Sequence, residues 1–172
     1  GRFLQDGEGI DIVYQFPITF ECRDIKCKGL LDEVYIDHNT KCIYPIDIKT
    51  IGDYILNFRD RFMKNRYDFQ GAFYTYGLAA NLTQLATLVV KPLSDYTIMP
   101  FRFIVESTIA PGSPAIFIMG ANSYRIGRLG MKNAYKEIIG YEQALDEYKW
   151  YLQNGFNKQR VLVEQNDTID LG

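Results

Sequence analysis

A chain of 172 residues, 47% hydrophobic and 15% aromatic, can bury one sizeable core and is too apolar for a disordered tail. Its formal charge of -2 excludes a domain that is basic overall, so an anionic partner must be met by a local patch. The longest apolar runs fall far short of a bilayer span, no charged-then-apolar leader opens the chain, and three cysteines, Cys22, Cys27 and Cys42, suit buried free thiols better than a disulfide framework. A soluble intracellular protein with no membrane association is expected.

The first sixteen residues have weak periodicity, and their start on Gly-Arg-Phe suggests that an element precedes them. Pro17–Cys22 and Ile25–Lys28 read as strands parted by Arg23-Asp24; Leu30–Asp37 continues the second with period-two alternation, and Cys42–Lys49 is the third. A polar and basic stretch with Asn57, Arg59, Arg61, Lys64, Asn65 and Arg66 then gives way to a helix. Its apolar stripe is Phe69, Ala72, Phe73, Tyr76 and Ala80, and Asn81 can stop it. Leu85–Val90, ended by Pro92, reads as a strand buried on both faces. Phe101–Glu106 and Ala115–Met119 flank a turn at Ala110-Pro-Gly-Ser-Pro114. From Asn122 to Asn154 the pattern is helical, with Gly130 and Gly140 as points where it can break. The order implies one domain over residues 1–172, with a mixed sheet and helices on its faces.

The second and third strands pose a problem. A four-residue turn, His38-Asn-Thr-Lys41, makes the two members of every cross-strand pair sum to 79, which sets Asp32 opposite Asp47. Opposed residues share a face at a Cα separation of ~4.5–5.5 Å, and Lys49 points to that face too. Two carboxylates so placed repel by roughly 3 kcal/mol at an effective dielectric near 20. A shared proton is one answer; the Lys49 ammonium could supply one compensating charge and a divalent cation two, and magnesium accepts one or two carboxylates with waters and phosphate oxygens. The bland alternative leaves one acid at a strand edge in solvent. Gly29 and the apolar neighbours Leu30, Val34, Ile46 and Ile48 argue for central strands instead.

Gly29-Leu-Leu-Asp32, Asp47-Ile-Lys49 and Gln70-Gly-Ala-Phe-Tyr74 resemble, in order, the G-x-x-D, (D/E)-x-K and Q-x-x-x-Y motifs of the RecB-like PD-(D/E)XK nucleases, and most of all the exodeoxyribonuclease VIII-like and phage recombination exonucleases. The motifs cover about Phe20 to Tyr74. The resemblance implies a three-layer α/β/α sandwich with a central mixed sheet, the restriction-endonuclease-like core, and a long C-terminal helix. It implies a metal-dependent DNA nuclease, an exonuclease by preference, acting in recombination or repair in the cytoplasm of a bacterial or phage-infected cell. Asp32, Asp47 and the Ile48 backbone carbonyl would bind Mg2+ or Mn2+, Lys49 would orient or deprotonate the attacking water, and Gln70 and Tyr74 would contact the DNA backbone or hold the site. A homo-oligomer or a single-strand annealing protein would be a further partner. The alternative is a nuclease-fold binding or assembly module without turnover.

Arg59, Arg61, Lys64 and Arg66 could track phosphates beside such a site, or form a solvated face. The family generally has an upstream helix with a histidine or acid near the metal. Here the one histidine, His38, reads as an exposed turn residue, and Asp6, Glu8 and Glu21 are the acids that could substitute.

Overall fold

The computed structural model describes residues 9–156. Strands β1 (Ile10–Cys22), β2 (Ile25–Asp37) and β3 (Cys42–Ile51) form an antiparallel meander. A 3-10 turn (Ile55–Asn57) and helices α1 (Phe58–Lys64), α2 (Tyr67–Ala80) and α3 (Leu82–Val89) carry the chain across to β4 (Thr97–Ile98) and β5 (Arg102–Ser107). Both of these run parallel to β3, and β6 (Ala115–Ile118) closes the sheet antiparallel to β5. The six-stranded mixed sheet has the order β1-β2-β3-β5-β6, with β4 beside the start of β3. Helix α4 (Ala121–Leu129), a small hairpin of β7 (Met131–Lys132) and β8 (Glu137–Ile138), and α5 (Tyr141–Asn154) follow. Sheet and helices make an α/β sandwich. Pro100, lacking an N–H, falls in the gap between β4 and β5, across which the register on β3 shifts by one residue.

The inward residues of the sheet and of α2 share one core. Phe16, Ile18, Leu31, Val34, Ile36, Ile43, Phe103 and Val105 meet Ala72 and Leu78, and Phe58 from α1 lies stacked on Tyr67 at 5.4 Å. Asn81 ends α2, and its buried amide donates to the Gly77 and Thr19 carbonyls, tying the helix terminus to β1. Cys22, Cys27 and Cys42 are all free thiols. Among the described residues, no helix is long and apolar enough to cross a membrane.

Two elements differ from the sequence reading. The run Leu85–Val90 is not a strand: it belongs to α3, where Leu82, Leu85, Ala86 and Val89 turn toward the core at helical spacing while Leu88 and Val90 are exposed. Six mostly apolar residues fit a buried strand as well as a helix, and the exposure of Thr87, Leu88 and Val90 separates the two. The stretch from Asn122 to Asn154 is likewise not one long helix. It breaks at Gly130, whose φ of +79° an L side chain rarely adopts, and resumes after Gly140. These two glycines back onto one another, since a Cβ on Gly140 would sit 2.3 Å from the Gly130 nitrogen.

Helices α2 and α4 touch backbone to backbone. A Cβ on Gly127 would lie 2.0 Å from the Asp68 carbonyl oxygen, an atom that cannot move without disturbing α2. Gly127→Ala should therefore destabilise the protein by roughly 3 kcal/mol. Gly52→Ala, where the nearest atom would be 3.8 Å away, should stay within about 0.5 kcal/mol of wild type. Urea denaturation of the two variants measures the contrast.

Candidate active site

Strand β3 is central, flanked by β2 and β5, and Asp47 sits in its middle with the side chain turned toward α2. The β2–β3 ladder starts at Asp37↔Cys42 and keeps the register of 79 as far as Glu33↔Ile46, where it ends. Beyond that point the Asp32 carboxylate lies between the strands. Its Oδ2 accepts the Ile48 N–H at 2.8 Å, and its Oδ1 is 3.4 Å from the Gln15 amide nitrogen. Asp32 and Asp47 are thus neighbours where two strands part, rather than an opposed pair in a continuous ladder.

Asp47 is only 4% exposed. Its Oδ1 accepts a 2.7 Å hydrogen bond from the Gln70 amide on the first turns of α2. The Lys49 ammonium lies 2.7 Å from the buried Oδ2 as an ion pair. Lys49 Nζ also stands 5.0 Å from the centre of the Tyr67 ring, a cation–π contact. Tyr67 escaped the sequence reading. Its signal was its place three residues before Gln70, which puts both on one face of a helix.

Burial pushes the Asp47 carboxyl above the ordinary carboxylate range; the Lys49 ammonium opposes this, the Asp32 charge adds to it, and the Gln70 hydrogen bond opposes it. A carboxylate in this state favours any arrangement that adds positive charge to that already supplied by Lys49. The donor set fits one hard divalent cation in its chemistry: two carboxylates, one of them buried with its charge only partly compensated, and the Ile48 carbonyl in the segment between Asp47 and Lys49. Waters and substrate would have to complete it. Among the described residues, no group of three or more His, Cys, Asp or Glu side chains could hold a metal.

The other residues singled out from sequence divide. Tyr74 packs against Gly29: a Cβ there would lie 2.8 Å from the tyrosine ring, so the glycine before Asp32 makes room for the helix residue one turn after Gln70. Arg61 pairs with Asp53, and Arg66 pairs with the fully buried Asp68 and donates to the Ile139 carbonyl. Arg59 and Lys64 are exposed and, among the described residues, make no ion pair. His38 is not an exposed turn residue. Its ring is held between Asp11, 2.6 Å from Nε2, and the Tyr96 hydroxyl, 2.7 Å from Nδ1, fastening the β2–β3 turn to β1 and to the loop before β4. Glu21 pairs in register with Lys26 beside the β1–β2 turn, well along the strand from Asp32; Asp6 and Glu8 lie outside the described residues.

No protein-family model matches the chain, and no curated protein matches it. Among solved structures it is similar to the crystal structure named "Putative exonuclease" from Eubacterium rectale, with a TM-score of 0.42 and 13% identity over 91% of this chain. The match spans 47% of that protein's length. A likeness at this level bears on neither mechanism nor substrate.

The causes acting on Asp47 make its titration testable. Its carboxyl 13C midpoint should lie above the ordinary value of about 3.9, rise further in Gln70→Ala, and fall in Asp32→Asn. Because the folded-state pKa is raised, the Asp47 contribution to stability is full below the unfolded pKa and is lost as pH rises through the folded pKa. Wild type should therefore gain stability relative to Asp47→Asn as pH falls through that window, as read by urea denaturation at a series of pH values.

Proposed function

We propose that this chain is a metal-dependent DNA nuclease domain that hydrolyses phosphodiester bonds, an exonuclease of phage or prophage recombination type being the finer reading. The observation that carries it is the buried Asp47 carboxylate, gripped by Gln70, faced by Lys49, and next to Asp32 where β2 and β3 separate. Nothing in a purely structural sheet calls for two acids and a lysine at one point. The motif resemblance on the same residues supports the reading independently of the geometry.

In this reading Asp32, Asp47 and the Ile48 carbonyl hold Mg2+ or Mn2+. When bound, such an ion supplies charge neutralisation at the phosphate and a water more easily deprotonated near neutral pH. Lys49 puts a positive charge beside the scissile phosphate and orients the attacking water, with Tyr67 supporting the ammonium. Gln70 fixes the rotation of the Asp47 carboxylate through Oδ1, leaving Oδ2 to Lys49 and, in this reading, to the metal. Tyr74, packed against Gly29, holds α2 at the distance this requires. Arg59 and Lys64 are free to meet the DNA backbone, whereas Arg61 and Arg66 are committed to acids of the fold.

Incubation of linear duplex DNA with the protein in Mg2+ or Mn2+ should give degradation that chelator abolishes. Asp47→Ala and Lys49→Ala should each lower it by at least about 100-fold while circular dichroism stays unchanged. A folded wild-type chain that leaves DNA intact in both metals would refute turnover and leave a binding module of the same fold.

The basic residues predict a division of effects. Arg59→Ala and Lys64→Ala should each reduce the salt slope of DNA binding by about 1, with little change in stability. Arg66→Ala strands the buried Asp68 charge and should lower stability by roughly 3 kcal/mol. Fluorescence anisotropy across a salt series, alongside thermal melts, separates the two classes.

A further inference from the structure

Gln15 is a non-glycine residue with φ of +49° inside β1. The other non-glycine residues of this kind among those described stand at hairpin turns, as Arg23, Asp24 and Lys41, or at helix ends, as Arg66 and Val90. A left-handed backbone is strained at a residue with a Cβ, and such strain persists where the surroundings require it. Continuing the β1–β2 register across the gap between Tyr14↔Glu33 and Phe16↔Leu31 puts Gln15 opposite Asp32.

At this pair both strands turn over. Along β1 the core residues Phe16, Ile18 and Phe20 alternate regularly, but the preceding one packed on that core is Val13, three residues back. Along β2 Leu31 is followed inward by Val34, again three residues away. A strand presents every second residue to one face, so a spacing of three within one core requires the backbone to rotate between them. The contacts with α2 show the same thing. With the register of 79, Gly29 and Leu31 would lie on the face away from Asp47, yet Gly29 meets Tyr74 on α2, the helix whose Gln70 binds Asp47. The turnover leaves Asp32 at the pivot, its carboxylate between strands and accepting the Ile48 N–H.

We propose that Gln15 is a positioning residue for Asp32, and that its left-handed backbone, rather than its amide, rotates the β1–β2 ribbon so that the Asp32 carboxylate reaches the Ile48 N–H and faces the Asp47 site. The amide contact, at 3.4 Å on an exposed side chain, is too long to hold the acid by itself. What Asp32 is for rests on the nuclease reading; how it is placed does not.

The test compares Gln15→Gly, which accepts the left-handed backbone and lacks the amide, with Gln15→Val, which disfavours that backbone. Hydrogen exchange of the Ile48 amide reports the carboxylate without metal or activity, and Asp32→Ala calibrates its loss. Mn2+ titration followed by electron paramagnetic resonance reports the site. Gln15→Gly should keep Ile48 exchange slow and Mn2+ affinity within about threefold of wild type, while Gln15→Val should match Asp32→Ala in exchange and lose about 10-fold or more in affinity. Should Gln15→Val fail to fold, Gln15→Ala against Gln15→Gly makes the same comparison. Equal losses in the glycine and valine variants, or unchanged Ile48 exchange in both, would overturn the positioning role. The expected exchange pattern without Mn2+ binding in any variant would uphold it and refute the metal reading instead.

Discussion

A carboxylate taken out of water in the middle of a central strand is the constraint on which the rest of this structure depends. An isolated buried charge is costly enough that a fold must neutralise it, pair it or bind something to it. Here helix α2 and β3 itself supply that compensation. Helix α2 lies where Gln70 reaches Oδ1, Lys49 follows on the same face of β3, and Tyr67 steadies the lysine from the start of α2. The compensation is incomplete, because burial still holds the Asp47 carboxyl above its ordinary range. A sheet selected for stability alone would carry an aliphatic residue at this position, as it does at Ile43 and Ile51 on the same face.

Fitting a helix that close to a strand puts demands on packing. The glycine before Asp32 leaves space for the Tyr74 ring, and Gly127 lets α4 press against the backbone of α2 from another side. Phe58, Tyr67, Phe103 and Phe117 fill the region between α1, α2 and the strands beside Asp47. This cluster adjoins the acid through Phe103, its partner in the ladder, and through Tyr67, which faces Lys49.

Much of this could be read from the residues, and the failures have physical causes. The four-residue turn fixed the hairpin register from Asp37 to Glu33, because turn length and alternation leave few options. Asp32 departs from that register because the strands do not stay regular: the ladder ends at Glu33, and Gln15, opposite Asp32 on β1, has a left-handed backbone. The helix containing Gln70 and Tyr74 was visible in its apolar stripe. The helix through Leu85 was not, because a short apolar run carries no period of its own. His38 looked like a turn residue because its partners, Asp11 and Tyr96, are distant in sequence and nothing local announces them. The basic cluster looked uniform, yet two of its members proved to be engaged by Asp53 and Asp68.

The parallel pairing of β3 with β5 has a consequence for the order of assembly. The meander of β1, β2 and β3 joins through short turns, so both acids belong to a unit held by local contacts. The parallel partner of Asp47 is Phe103, and reaching it closes a loop that contains α1, α2 and α3. Loop-closure entropy must be met before such a contact gives any return, which makes long-range parallel pairing slow relative to hairpins. On this ground the meander is expected to bring Asp32 and Asp47 together while still in water, with the desolvation that distinguishes Asp47 following at the crossover. Assembled in this sequence, the chain is spared an intermediate that carries a buried, uncompensated charge.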